Sequence, residues 1–314
     1  MKKISKWFSR FLVGIVAMAQ IVSITPAQIA YAAQETNENA KVSEGIRYVA
    51  LGDSITEPSD SYVSMVSKNL EKKYGKCTTD NLGVYGWTSG DLLDALTNPL
   101  NSNYQRMRSS VSKADIITLD IGSNDALLTI ANIVAESYGY SIQEVDQILR
   151  VNEMWAKKFQ QGGMAAYMAY LSALQVGIKI HSRLYYGKEM PQALNQFEKN
   201  YVNILKTLSA IAPNAEVYIG NFYNPFKKVA PFTFAGFTVF DIDHYIDDYA
   251  RKGNKIISDN AGGRVVVDIY NTINDPCYIK GSMVGYDYDP HPNQAGQKAI
   301  ANKFIAAINN NTRK

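Results

Sequence analysis

Apolar residues gather along this chain in five short runs, residues 46–51, 78–82, 115–121, 216–220 and 264–269, separated by stretches of helical character. That alternation predicts a parallel sheet whose strands are joined by helical crossovers. The third and fifth runs hold Ile116-Ile117-Thr118-Leu119 and Val265-Val266-Val267, nearly all apolar or β-branched. Strands covered on both faces read in this way. Residues 62–74 carry Val63, Val66 and Leu70 on one helical face, and residues 293–308 carry Ala295, Ala299, Ile300, Phe304 and Ile308. No internal repeat or low-complexity tract interrupts the pattern.

The third and fourth runs lie much farther apart than one crossover needs. Residues 126–211 between them read as a helical insertion, with helices expected over 142–159, 164–180 and 192–208. Met164, Tyr167, Met168, Leu171, Leu174 and Ile178 form an apolar stripe at helical spacing. Ordinary packing of that stripe onto the main body is expected; a cap whose Met and aromatic side chains line an apolar pocket is the alternative. After the fourth run, Phe222, Tyr223, Phe226, Phe232, Phe234, Phe237 and Phe240 crowd a stretch broken by Pro225 and Pro231. Two readings stand open for it, the rim of a substrate site and a buried plug.

The N-terminus belongs to a different category. Lys2, Lys3, Lys6 and Arg10 precede an uncharged apolar stretch over residues 11–24, and Ala30-Tyr31-Ala32 puts small residues where a signal peptidase reads. The apolar run is short for a bilayer span. Residues 1–32 are therefore expected to be a signal peptide cut after Ala32, with 33–45 a polar leader, 46–314 the folded domain and the product secreted. No cysteine lies near the cut, as a lipoprotein would need, and no stable membrane anchor is expected. The chain carries a formal charge of +3, but without the four basic residues of the leader 28 basic residues face 29 acidic ones. The positive charge is thus a targeting signal, and nucleic acid is not an expected partner. The rest is long enough to bury a full core as one α/β domain, expected as a monomer. Cys77 is placed at the bottom of the second strand and Cys277 in a loop near the top, whereas a disulfide needs Cα atoms within roughly 7 Å. Both are expected as free, partly buried thiols.

The candidate chemistry begins directly after the first strand, at Gly52-Asp53-Ser54-Ile55-Thr56. A strand that ends in Gly-x-Ser and turns into a helix puts a hydroxyl at the open end of a sheet, where a helix N-terminus stabilises negative charge. Three more pieces follow in order: Gly86, the run Gly122-Ser123-Asn124-Asp125, and Asp289-Pro290-His291-Pro292-Asn293. All fall in loops after predicted strands, the side on which such sheets bind ligands. Acyl transfer needs a nucleophile, a base and donors for the oxyanion, and the pieces can supply all of them. Of the three histidines, His181 is expected on the surface of an insertion helix, and His244 is expected to pair within the acidic segment of Asp241 and Asp243. His291 alone sits in a Pro-flanked loop that opens a helix. Three scattered histidines without ligand spacing argue against a metal, and no cofactor is expected.

These four blocks resemble the GDSL/SGNH hydrolase family of secreted bacterial esterases and lipases. The first block is matched by Gly52-Asp53-Ser54, the second by Gly86, the third by Gly122-Ser123-Asn124-Asp125 and the last by His291-Pro292-Asn293. The resemblance covers residues 47–304 apart from the helical insertion. It implies a flavodoxin-like three-layer sandwich, with a five-stranded parallel sheet and the helical insertion after strand 3. It also implies a serine hydrolase of carboxylic esters working through an acyl-Ser54 intermediate, with His291 as base. The oxyanion donors it implies are the backbone N–H of Ser54 and of Gly86 and the side-chain amide of Asn124. Asp53 and Asp125 are expected to be structural, holding the turn and capping the next helix.

Two departures from the family pattern stand out. The acidic member of the triad usually lies three residues before the histidine, a position held here by Tyr288; Asp289 is the expected replacement, with Asp287 or a backbone carbonyl as alternatives. Glu57-Pro58 stands where relatives carry a small glycine, and is expected to narrow the entrance beside Ser54. The expected substrate is a small-molecule or lipid ester. O-acetyl groups of an acylated glycan or wall material are the nearest alternative, and a non-catalytic surface binding protein is a reading from another class.

Overall fold

The computed structural model describes residues 45–229, 231–234, 237–280 and 289–311. The N-terminal segment discussed above and Asp287 lie outside them. Five strands form one sheet: β1 (Ile46–Gly52), β2 (Cys77–Asn81), β3 (Ile116–Asp120), β4 (Glu216–Gly220) and β7 (Val265–Val267). Their order is β2-β1-β3-β4-β7, and every pairing is parallel. Each strand falls on one of the five apolar runs. β1 buries Tyr48, Val49, Ala50 and Leu51, and β3 is buried along its whole length, because helices cover both faces.

On one face α1 (Tyr62–Tyr74) packs against α9 (Gln294–Asn310), with Tyr62 stacked on Phe304 at 4.9 Å. The other face carries α2 (Ser89–Thr97), α4 (Ser123–Ser137), α7 (Glu189–Ile211) and α8 (Ile242–Asp259), with α3 (Tyr104–Val111) against α2. Both helices read from apolar spacing are present, α1 with the expected bounds. A short antiparallel hairpin of β5 (Phe232–Phe234) and β6 (Phe237–Phe240) follows β4.

The segment after β3 divides into parts that do different work. α4 and α7 belong to the main core, through Ile130, Ile133 and Val134 of the first and Phe197, Ile204 and Leu208 of the second. Between them α5 (Val145–Gln161) and α6 (Gly163–Tyr186) pair as a hairpin. At its outer part Trp155, Ala169 and Ala173 form a separate small cluster, while Ile180 and Leu184 reach the main core. Of the apolar stripe on α6, Leu171 and Leu174 are half-buried, but the other four residues do not pack onto the body. Met164, Tyr167, Met168 and Ile178 are 73, 58, 54 and 55% exposed, because the small side chains of the opposite side are the ones that admit α5.

Both cysteines are free. Cys77 opens β2 and is partly buried, whereas Cys277 is exposed, a departure from the expected burial. Among the described residues no helix is long and apolar enough to cross a membrane.

Candidate active site

The sheet order reverses between β1 and β3, so the chain leaves these neighbouring strands in opposite directions and opens a crevice at their carboxyl ends. Gly52 is paired with Asp120, which puts Asp53-Ser54 beside Ile121-Gly122. A side chain at position 52 would begin 2.1 Å from Thr56 Oγ1 and 2.6 Å from the Asp120 carbonyl, so only glycine allows this crossing. The chain then forms one turn, in which the Asp53 carbonyl accepts the N–H groups of Thr56 and Glu57, and α1 begins only at Tyr62. Ser54 therefore does not head a long helix, as its sequence context suggested. The longer dipole facing the crevice is that of α4, whose first residues Ser123 and Asn124 line it.

His291 reaches Ser54 from the other side. Its loop is held to the segment before it: Lys280 N–H donates to the His291 carbonyl, Asn293 N–H to the Tyr278 carbonyl, and Tyr223 O–H to the Pro290 carbonyl. Asn293 accepts the N–H of Gly296, capping α9, and donates its amide to the Cys277 carbonyl. With the loop so placed, His291 Nε2 lies 2.8 Å from Ser54 Oγ. Asp289 Oδ1 accepts the His291 backbone N–H at 3.0 Å and also bonds the ring at Nδ1. One oxygen serves both, because a turn of two residues brings the side chain back over the following peptide. Burial pushes the Asp289 carboxyl up, but the hydrogen bonds and charge of His291, with Lys280 nearby, hold it below the usual carboxylate range.

Asn124 donates one amide hydrogen to the Trp87 carbonyl at 2.9 Å, which fixes its orientation and leaves the second hydrogen for another acceptor. Gly86 precedes that carbonyl in a turn closed by Trp87 N–H on the Val84 carbonyl, with φ of 76° at the position where such turns favour glycine. Tyr85, next to it, sets its ring 5.7 Å from that of His291. Glu57 and Pro58 do not line the cleft; Glu57 is exposed, so the expected narrowing beside Ser54 is absent. The cleft encloses about 570 Å³, open solvent at its mouth included, and its walls are mainly apolar: Ala126, Leu127, Phe222, Pro225, Ile246 and Ala250. Phe222 and Tyr223 thus belong to its lining, and no residue of α5 or α6 does.

Several residues of the site carried no motif. Gln297 accepts the Tyr62 N–H and donates to the Ile55 carbonyl, tying the Ser54 turn to α9 and α1. Its signal is a polar residue on the apolar stripe of α9. Asp125 does not cap α4; it accepts both the N–H and the hydroxyl of Ser89 and so locks the start of α2. His181, half-buried on α6, and His244, exposed and bonded through its backbone N–H to Asp241, flank Tyr185 at 4.4 and 6.1 Å between ring centroids, so both rings take part in an aromatic stack away from the cleft. Among the described residues no three His, Cys, Asp or Glu side chains converge as metal ligands.

Beneath Ser54 lies a pair of buried carboxyls that sequence alone did not reveal. Asp53 Oδ1 accepts the Ile55 N–H, but its Oδ2 and that of Asp120 have no partner among the described residues. Burial pushes both carboxyls up; for Asp53 the charge of Asp120 adds to it, Asp125 adds a little more, and Ile55 N–H and His291 offset part. Tyr62, whose hydroxyl bonds Thr56, also faces Asp120. Raised folded pKa values mean that the folded state binds more protons than the unfolded one, so this contribution to stability falls as pH rises from about 4 through neutrality. Asp120→Asn removes one charge of the pair. It is expected to flatten the decline of stability between acid and mildly alkaline pH, by on the order of 2 kcal/mol, in urea titrations at a series of pH values. An unchanged pH profile would mean that the pair ionises as freely in the fold as outside it.

Tyr249 adds a second buried polar group to the cleft wall: its ring stacks near Phe222, and its hydroxyl has no partner among the described residues. A buried unpaired hydroxyl costs about 1–3 kcal/mol. Tyr249→Phe is expected to raise the unfolding free energy by about 1 kcal/mol in urea titration; an equal or lower value would show that solvent in the cleft satisfies the hydroxyl.

The family model described as GDSL-like Lipase/Acylhydrolase family matches residues 50–299. No protein of curated function matches the chain in sequence. Among solved structures, a lipase, Lip_vut3, from a goat rumen metagenome is similar at 20% identity and a TM-score of 0.49, over 83% of this chain and 97% of its own. Phospholipase A1 from Streptomyces albidoflavus NA297 is similar at 17% identity and 0.48, over 85 and 99%. The acetylxylan esterase Axe2 from Geobacillus stearothermophilus gives 17% and 0.46, over 84 and 94%.

Proposed function

Since the chain belongs to the GDSL-like lipase/acylhydrolase family and is a carboxylic-ester hydrolase, we propose that it acts through an acyl-enzyme formed on Ser54. The observation that carries this reading is the 2.8 Å contact of Ser54 Oγ with His291 Nε2, with Asp289 on the opposite ring nitrogen. Ser54 Oγ attacks the ester carbonyl carbon while His291 Nε2 takes its proton. Asp289 keeps the other ring proton on Nδ1, which aims the Nε2 lone pair at the hydroxyl and stabilises the imidazolium that forms. The oxyanion meets the backbone N–H of Ser54 and Gly86 and the free amide hydrogen of Asn124. Collapse breaks the bond to the alcohol, which leaves with the proton from His291. Water then gives a proton to His291, attacks the acyl carbon and releases the carboxylic acid, with the proton returning to Ser54.

The apolar walls of the cleft favour an acyl chain over the acetyl group of a glycan. In a series of p-nitrophenyl acetate, butyrate and octanoate, kcat/KM is expected to rise beyond acetate. A preference for acetate, with release of acetate from an acetylated glycan, would instead favour the deacetylase reading. A fluorophosphonate probe is expected to label the protein once, at Ser54, as read by mass spectrometry of its peptides. Failure to label, together with no turnover, would remove the enzyme mechanism. Residues 1–32 are proposed to direct export; protein recovered from the medium of a secreting host is expected to begin at Ala33.

A further inference from the structure

Of the eight large apolar side chains that stand exposed among the described residues, six belong to α5 and α6: Met154, Met164, Tyr167, Met168, Ile178 and Tyr186. From Met164 to Ile178 they follow one side of α6 over about 20 Å, taking 1.5 Å per residue. Exposure on that scale, gathered on one helix, marks a contact surface rather than scattered surface residues.

Charge decides what the surface fits. From Met154 to Lys188 the chain holds no acidic residue; Glu153 is the last before it and Glu189 the first after. Arg183, within this stretch, is already bound to Glu136 and Glu189. Lys157, Lys158 and Lys179 make no ion pair among the described residues, and they sit at the two ends of the apolar stripe. A second copy laid against α6, parallel or antiparallel, would bring cations onto cations with no acid to receive them. The face also offers few directional groups to fix the register of a protein partner. Apolar side chains flanked by lysines, whose stems can lie along the surface while their ammonium groups stay in water, suit a fluid anionic lipid surface.

We propose that the exposed side of α6, with Lys157 and Lys158 at the α5–α6 tip, docks the protein on anionic lipid. The helix lies flat, sinking Met164, Tyr167, Met168 and Ile178 toward the acyl boundary while the lysines meet the head-group charge. The surface is independent of Ser54 chemistry, so it is tested in the full chain carrying Ser54→Ala, which leaves the lipid intact.

Hydrogen exchange reads the contact at its own location. The first amides of α6, just past Gly162, have no carbonyl four residues back within the helix and should exchange fast in water. Peptides covering residues 157–168 are expected to lose about tenfold in exchange rate on phosphatidylglycerol vesicles, and less on phosphatidylcholine vesicles. Lys157→Gln with Lys158→Gln is expected to abolish the difference between the two lipids. Tyr167→Ser with Met168→Ser, both exposed and so tolerable to the fold, is expected to abolish the protection itself. Uptake unchanged by either vesicle would overturn the proposal, whether or not the chain is bound through its N-terminal segment. Protection without lipid that grows with protein concentration would assign the face to a second copy. Protection without lipid at every concentration would show it covered within the chain. Both of these results overturn it as well.

Discussion

Ser54→Ala is expected to lower kcat by about 10⁴- to 10⁶-fold while leaving the fold in place. The side chain is small and buried, and its hydroxyl points to His291 rather than into a structural network, so a methyl group fits the same space. The turn itself rests on Gly52, on the Asp53 carbonyl and on Gln297, none of which the substitution touches. The loss should therefore fall on the chemical step. In the proposed mechanism Ser54 and His291 act as one unit, so Ser54→Ala with His291→Ala is expected to be no slower than either alone. Initial rates on p-nitrophenyl butyrate, with far-ultraviolet circular dichroism as the check on folding, decide the matter. Turnover within about tenfold of the parent would place the nucleophile elsewhere.

Asp289 carries the second large effect, and the position of its bonds shapes it. Asp289→Ala removes both the ring contact and the charge, and is expected to cost about 10⁴-fold in kcat, as loss of the orienting acid does elsewhere. Asp289→Asn should be milder. A single oxygen, Oδ1, accepts both the His291 backbone N–H and the ring N–H, so an amide oxygen in its place can keep both bonds and the tautomer. What is lost is the negative charge that stabilises the imidazolium as it forms, so the fall in kcat is expected to be smaller, about 10- to 10³-fold. Equal losses in the two variants would mean that Oδ2, or a group outside this pair, orients the ring.

How much of this was legible before the fold was known varied from segment to segment. β3 could be read because a strand covered on both faces is apolar or β-branched at most positions, as Ile116 to Leu119 are, and all five of its residues are buried. α1 could be read because one buried face leaves a period, and Val63, Val66 and Leu70 mark it. α4 was expected only as an unbounded helix after Asp125: its buried positions, including Ala126, Ile130, Ile133 and Val134, are mixed with further apolar residues, so no clean single stripe stands out. α6 shows the opposite limit. Its stripe has the spacing of a buried face, yet the large side chains point to solvent and Ala169 and Ala173 pack on Trp155. Spacing reports that side chains share a face; it carries no information on what covers that face.

The chain itself determined the chemical inventory of the site. Ser54 and His291 were recognisable because a tight strand exit and a Pro-flanked loop restrict the backbone locally and so leave marks in neighbouring residues, whereas Gly86 and Asn124 were picked out by resemblance to the family's second and third blocks. The five apolar runs likewise determined a parallel sheet, since burial on two faces is written into each strand separately. Tertiary structure alone decided which groups meet. That Asp289 turns back on His291, that Gln297 holds a turn more than two hundred residues away, and that Asp53 and Asp120 share one buried space follow from strand order and loop closure. Those are contacts between distant parts of the chain, and their free energies depend on where the fold brings each partner rather than on any residue's neighbours in sequence.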